Sequence, residues 1–306
     1  MSLPGKRATV VSCYYPLPSS KHSIQDYIQW IYHFVTFVDS PLVIFSEGPA
    51  ADVLQQMRDK ANLSTSFLLI RKPFNTLKFS NDTWNTIWNS QLNLSRAGPN
   101  PEWRNLHNIE LYKIWANKCF FVEEVMSINP FNTEVFFWCD AGCWRDPLTA
   151  QICGPGWPDA SKIIPKKIHL LSMNQEDIFF KKLVPGLTHE EIVTKIPTEF
   201  IVTICGAMIA GDREAWTTFI PLYEKTLHLF IENMKFGGDD QSVLTSTALW
   251  LHISNPTYAP IFYKAPDTPQ FFQFEHLRMG DNWFAFQPHF SRHDFKLPLA
   301  DSQHSA

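Results

Sequence analysis

The stretch "VFFWCDAGCWRD", residues 135–146, runs unbroken through apolar side chains from Val135 to Cys139 and stops at Asp140. It then turns through Ala141 and Gly142 into Cys143, Trp144 and Arg145. Continuous apolar runs of this length, bounded by turn signals, suit a strand covered on both faces, as in parallel sheets. The segment after the strand has three readings: a loop that holds a metal, a redox or zinc pair, or an ordinary turn. Cys139 and Cys143 lack CxxC spacing and have no histidine pair nearby, which argues against zinc.

Upstream, strands and helices alternate. "ATVVSCYY" (8–15) reads as a buried strand, followed by the loop "PLPSSKH" and a capping box from Ser23 to Asp26. Ile24, Tyr27, Ile28, Ile31, Phe34, Val35 and Val38 recur at helical spacing and predict one apolar face. "PLVIFS" (41–46) and "SFLLIR" (66–71) predict two more strands with a helix over 49–61 between them. A longer helix is predicted from about 105 to 126, ahead of the strand at 135–140. This alternation implies right-handed crossovers and a mostly parallel sheet, with ligands beyond the carboxyl ends of its strands. Tyr14, Tyr15, Ser46, Glu47 and Asp140 fall at such ends.

Downstream, "KIHLLS" (167–172) and "EFIVTICGAMIAG" (199–211) read as strands, the second turning at Gly206. Asp212 suits the cap of a helix carrying Trp216, Phe219, Tyr223, Leu227 and Phe230 on one face. "KFGGDDQSVL" (235–244) makes a glycine turn and opens another helix. The chain is expected to form one domain, with a core over about 8–250 and an aromatic-rich extension, 251–306, that closes the site.

Charge and composition narrow the function classes. With 306 residues, 45% hydrophobic and 18% charged, the chain is globular and able to bury a large core. A net charge of −4 argues against a broad basic footprint for nucleic acid, and no DNA partner is expected. No stretch approaches the ~20 apolar residues that a membrane helix requires. The expectation is therefore a soluble, cytoplasmic protein with no membrane partner. The 6 cysteines sit mostly within apolar runs, where thiols behave as small hydrophobes.

Four groups of residues have chemistry to offer. Asp140 at a strand end can hold a divalent cation, with Gly142 admitting a diphosphate close to the backbone; equally, Asp140 caps a turn. Asp239 and Asp240, beside Gly238 and Gln241, suit a base or an acceptor-hydroxyl ligand, or simply start a helix. Lys21, His22 and Arg145 can meet phosphate oxygens or stay solvated. His276, His289 and His293 are late-chain metal candidates, with His289 preferred, and Trp283 lies in the aromatic stretch expected to close the site. No GxGxxG, Walker A, GxSxG or HExxH pattern occurs.

The blocks "VVSCYYPLPSSKHSIQDYIQWI", "PLVIFSEG", "LYKIWANKCFFVEEVMSINPFNTEVFFWCDAGCWR", "MIAGDREAW" and "GGDDQSVL" together resemble the HtrL/YibB (WlaTC) family of glycosyltransferase-like proteins. The resemblance spans about residues 8 to 250. It implies a GT-A-like α/β fold, a mixed and mostly parallel sheet flanked by helices, that moves a sugar from a nucleotide sugar to a small-molecule or glycan acceptor. In GT-A enzymes a DxD motif holds Mn²⁺ or Mg²⁺ against the donor diphosphate. Asp140 falls on its first aspartate, but Gly142 stands where the second is expected.

The resemblance further implies donor contacts from Tyr14, Lys21, Asp140, Gly142 and Arg145. On the acceptor side it implies catalytic carboxylates at Asp239 and Asp240, with Gly238, Gln241 and Trp283 beside them. The family that the sequence resembles is in turn related to fungal arginine-containing cyclodipeptide synthases, which use aminoacyl-tRNAs; there Asp239 and Asp240 would read a basic amino acid. A third expectation is a non-catalytic carbohydrate-binding relative.

Overall fold

The computed structural model describes residues 7–17, 19, 20, 22–99, 101–145, 151, 153–173, 183–199, 203–264 and 289–291. Lys21, His276, Trp283 and His293 lie outside the described residues, as does most of the expected C-terminal extension.

Seven strands form one sheet in the order β3-β2-β1-β4-β6-β5-β7. They are β1 (Ala8–Tyr14), β2 (Leu42–Ser46), β3 (Phe67–Arg71), β4 (Val135–Cys139), β5 (His169–Ser172), β6 (Ile204–Asp212) and β7 (Ile261–Lys264). Strand β1 pairs in parallel with β2 on one side and β4 on the other. Among the described strands only β6 runs antiparallel to its neighbours, β4 and β5. The protein is thus α/β, with a mixed, mostly parallel sheet, as the alternation of elements predicts.

The helices are α1 (Ile24–Phe37), α2 (Gly48–Lys60), α3 (Asp82–Ala97), α4 (Pro101–Leu106), α5 (Ile109–Ile128), α6 (His189–Lys195), α7 (Arg213–Glu232) and α8 (Asp240–Ser254). Alternation along each strand sorts side chains to the two faces. Val11, Val43, Phe136 and Trp138 pack with α3, α5, α7 and α8. Val10, Leu42, Ile44, Phe137 and Cys139 pack with α1 and α2. Helices on both faces explain why the strands read as apolar runs rather than alternating ones.

Local signals fix several helix starts. The Ser23 hydroxyl accepts from the Asp26 N–H while the Asp26 carboxylate accepts from Ser23, the predicted capping box. Asp212 caps α7 as expected, and Asp239 caps α8. The expected apolar face of α1 is narrower than its spacing suggests: Ile24 and Ile28 are 60% and 42% exposed, beyond the edge of the sheet contact. Gly206 is also not a turn. It lies inside β6, where a neighbouring carboxylate needs the space that a side chain would fill.

Candidate functional site

In the strand order, the chain moves outward from β1 through β2 to β3 and then crosses back to place β4 on β1's other side. That reversal opens a crevice beyond the carboxyl ends of β1 and β4, the place where open α/β sheets receive ligands. A cavity of about 330 Å³ occupies it. Its walls come from the end of β1 and the residue after it (Tyr14, Tyr15), from α1 (Tyr27) and from α5 (Leu111, Trp115), and Asp140 and Lys118 close the inner end.

Strand periodicity aims Asp140. Phe136 and Trp138 face the layer containing α5, and Asp140, two residues further on, turns to the same side. There it meets Lys118, which rises from the middle of α5. The Lys118 ammonium lies 3.1 Å from Asp140 Oδ1 and 2.6 Å from Asp240 Oδ2. It also donates to the Gly206 carbonyl at 2.9 Å. Trp138 Nε1 donates to Asp140 Oδ1 at 2.8 Å, and the Asp140 N–H donates to the Ala207 carbonyl at 2.8 Å. Four elements, β4, α5, β6 and α8, therefore converge on one ammonium.

Burial sets the electrostatics. Lys118 and Asp240 expose only 4% and 3% of their side chains, whereas Asp140 keeps 35% open. Burial alone would lower the Lys118 pKa, but the two carboxylates outweigh it and hold it above the ordinary lysine value. Burial and the nearby Asp240 raise Asp140, while the Lys118 charge opposes them. The open third of Asp140 faces the cavity, so solvent or a ligand moderates that rise. Among the described residues lining the cavity, Asp140 is the only acidic side chain.

The same cluster accounts for the glycine in β6. A β-carbon on Gly206 would stand 2.1 Å from Asp240 Oδ2, so only glycine lets that carboxylate reach Lys118. Asp239, next to it, accepts the Ser242 N–H at 2.7 Å through Oδ1, while its buried Oδ2 has no hydrogen-bond partner. Burial pushes Asp239 up to about 7, against the hydrogen bonds from Ser242.

Of the residues expected from sequence, Tyr14, Asp140, Gly142 and Arg145 line the cavity. Gly142 packs against α1: a β-carbon there would be 3.3 Å from Tyr27 Cε1. The Arg145 guanidinium stacks 4.5 Å over the Trp30 ring. Asp240 stands behind Lys118 rather than in the wall, and Asp239 is the buried cap of α8. Gly238 packs against Phe236 and Tyr112, and Gln241 lies in the first turn of α8. His289 sits on the other face of the sheet, 4.3 Å from the Tyr263 ring and 4.8 Å from that of Phe290, in the layer containing Phe137. Cys139 and Cys143 are buried free thiols with sulfurs 3.1 Å apart.

The residues at the site fit a divalent cation poorly. Mg²⁺ and Mn²⁺ take several oxygen ligands around one point. Here Gly142 brings no carboxylate, and the point between Asp140 and Asp240 is filled by an ammonium. Among the described residues, no group of three or more His, Cys, Asp or Glu side chains is placed to hold a metal ion.

Lys118 carries no sequence motif. Its clue is position: a lysine directly ahead of Cys119, Phe120, Phe121 and Val122 sits where a solvated charge does not belong. Gly206, alone among apolar strand residues, signals a close approach of the kind found.

Among the described residues, no helix is long and apolar enough to cross a membrane. Comparison with curated proteins found no match. A family model described as "bacterial protein of unknown function (HtrL_YibB)" matches residues 18–251, a span that contains β2 to β6 and the whole Lys118 cluster. The chain belongs to the HtrL/YibB family.

Proposed function

We propose that the protein is a transferase on a GT-A-like scaffold, moving a sugar from a nucleotide sugar to a small-molecule or glycan acceptor. The observation that carries this reading is the cavity at the switch point between β1 and β4, with a partly open carboxylate at its inner end. Tyr14, Tyr27 and Trp115 offer ring faces for a base or sugar, and Arg145 a cation near the diphosphate. An acceptor hydroxyl attacks the anomeric carbon, the nucleoside diphosphate leaves, and Asp140 takes the hydroxyl proton. Burial raises Asp140 above an ordinary aspartate, which makes it the stronger base.

Thermal stability against a panel of nucleoside diphosphates tests this. A ligand at about 100 times its Kd should stabilise by roughly 2.7 kcal/mol. A shift with one nucleotide supports the reading and names the donor class; no shift with any of them removes it. Affinity for free sugars without turnover would point to a carbohydrate-binding relative instead.

A second reading rests on charge. Two carboxylates share one ammonium, so the inner end of an aromatic-walled cavity keeps a formal excess of one negative charge. That suits a cationic side chain such as arginine, and with it an aminoacyl-tRNA substrate. The amine of one aminoacyl group would then attack the ester carbonyl of another, releasing the tRNA 3′-hydroxyl. Cyclic dipeptides in expressing cells, and none from an Asp140→Asn strain, would support it.

A further inference from the structure

An ammonium has three N–H donors. Lys118 donates to Asp140 Oδ2 at 3.1 Å and to the Gly206 carbonyl at 2.9 Å, and its charge pairs with Asp240 Oδ2 at 2.6 Å. Two carboxylates and a backbone carbonyl around one point is the donor set of a hard cation. Two further features show that the seat is built for the nitrogen. Gly206 lacks the side chain that would push Asp240 away, with a β-carbon only 2.1 Å from its Oδ2. Trp138 Nε1, at 2.8 Å, holds Asp140 in the orientation that meets Lys118. The lysine comes from the middle of α5, anchored on both sides by buried Asn117 and Cys119, so its stem has little freedom to withdraw.

We propose that Lys118 is the resident cation of this site, a tethered ammonium in the seat between two carboxylates that a divalent metal would otherwise take. The cavity then binds its ligand with no divalent cation. A divalent ion at Asp140 would meet the ammonium at contact distance and overcompensate the single excess negative charge, so like-charge repulsion opposes it. The open oxygen surface of Asp140 is left to accept hydrogen bonds from a hydroxyl or ammonium group of the ligand. The inference is independent of which substrate the cavity takes, because it concerns only the cation between the carboxylates.

The test is Mn²⁺ titration of the purified full chain, read by electron paramagnetic resonance, which needs no substrate and no turnover. Wild-type protein is expected to leave the free-Mn²⁺ signal undiminished. Depletion of that signal by wild type, abolished in Asp140→Asn, overturns the proposal. Lys118→Ala, which vacates the seat, is expected to deplete the signal, and a folded Lys118→Ala protein that does not would overturn it too. Should Lys118→Ala fail to fold alone, recovery of its melting transition on adding Mn²⁺ supports the proposal, and the wild-type titration still has the power to refute it. A null result in the nucleotide panel would sink the glycosyltransferase reading and leave this titration unaffected.

Discussion

Gly206 and Asp240 are so close that a single added β-carbon would lie 2.1 Å from the carboxylate oxygen contacting Lys118. The smallest side-chain change in β6 is therefore a large electrostatic one. Gly206→Ala should displace Asp240 and lower stability by about 3 kcal/mol, the combined scale of overpacking and a disturbed buried ion pair. Denaturant unfolding checks it; a variant as stable as wild type would mean that Asp240 has room to move.

Lys118 balances two acidic groups, so its loss should cost more than its loss together with one of them. Lys118→Met is expected to destabilise by about 3–5 kcal/mol by leaving uncompensated buried charge. Lys118→Met/Asp240→Asn should recover part of that loss. Strict additivity in the double-mutant cycle would contradict the coupling.

Asp239 predicts a pH dependence. Burial pushes its pKa to about 7 from an ordinary 3.8, so between those values the folded protein holds a proton that the unfolded chain releases. Stability from this group is thus highest in acid and falls as pH rises through that window. Asp239→Asn keeps the cap acceptor and removes the titration. Relative to wild type it should gain on the order of 2–4 kcal/mol between about pH 4 and pH 8. Parallel pH–stability curves for the two proteins would refute this.

The cavity walls predict a separation of binding from folding. Trp115→Ala removes an aromatic wall outside the ion cluster and should weaken the active ligand by about 1 kcal/mol or more, with the cluster intact. Asp140→Asn should abolish the ligand-induced shift in melting temperature. Ligand shifts unchanged in both variants would place the binding site elsewhere.

Ser23→Ala should destabilise by about 1 kcal/mol through loss of the capping box. The same change loosens the start of α1, which carries Tyr27 against Gly142, so ligand affinity should fall with it.

The sheet was legible because its strands are near-continuous apolar runs; the chain from Val135 to Asp140 announces both the strand and the carboxylate at its end. Asp212 and Ser23 were legible because capping has a local code. Helix α3, in "DTWNTIWNSQLNLSRA", and strand β7 went unpredicted, the first because polar residues dilute its apolar face and the second because it is only 4 residues long. Asp140 and Asp240 were named as candidates, but their partnership through Lys118 was hidden for a different reason. Lys118, Gly206 and Asp240 are separated by 88 and 34 residues, or a whole crossover and a helix, and nothing local ties a mid-helix lysine to a glycine in a later strand. Packing of α8 against β6 and α5 brings them together, and the register of β4 against β6, which pairs Cys139 with Met208, adds Asp140.

All 6 cysteines are buried thiols outside any disulfide, and the sheet divides them. Cys13 and Cys119 belong to the layer holding α5 and the ion cluster, while Cys139, Cys143, Cys153 and Cys205 belong to the layer holding α1 and α2. Cys13 borders the cavity, but a thiol-alkylating reagent can reach Cys119 or the second set only when the layer around it opens. Labelling rates resolved by peptide mass would therefore time the two halves of the core separately, without any introduced label. Equal rates would mean that the layers open as one cooperative unit, and unequal rates would show which side of the sheet yields first.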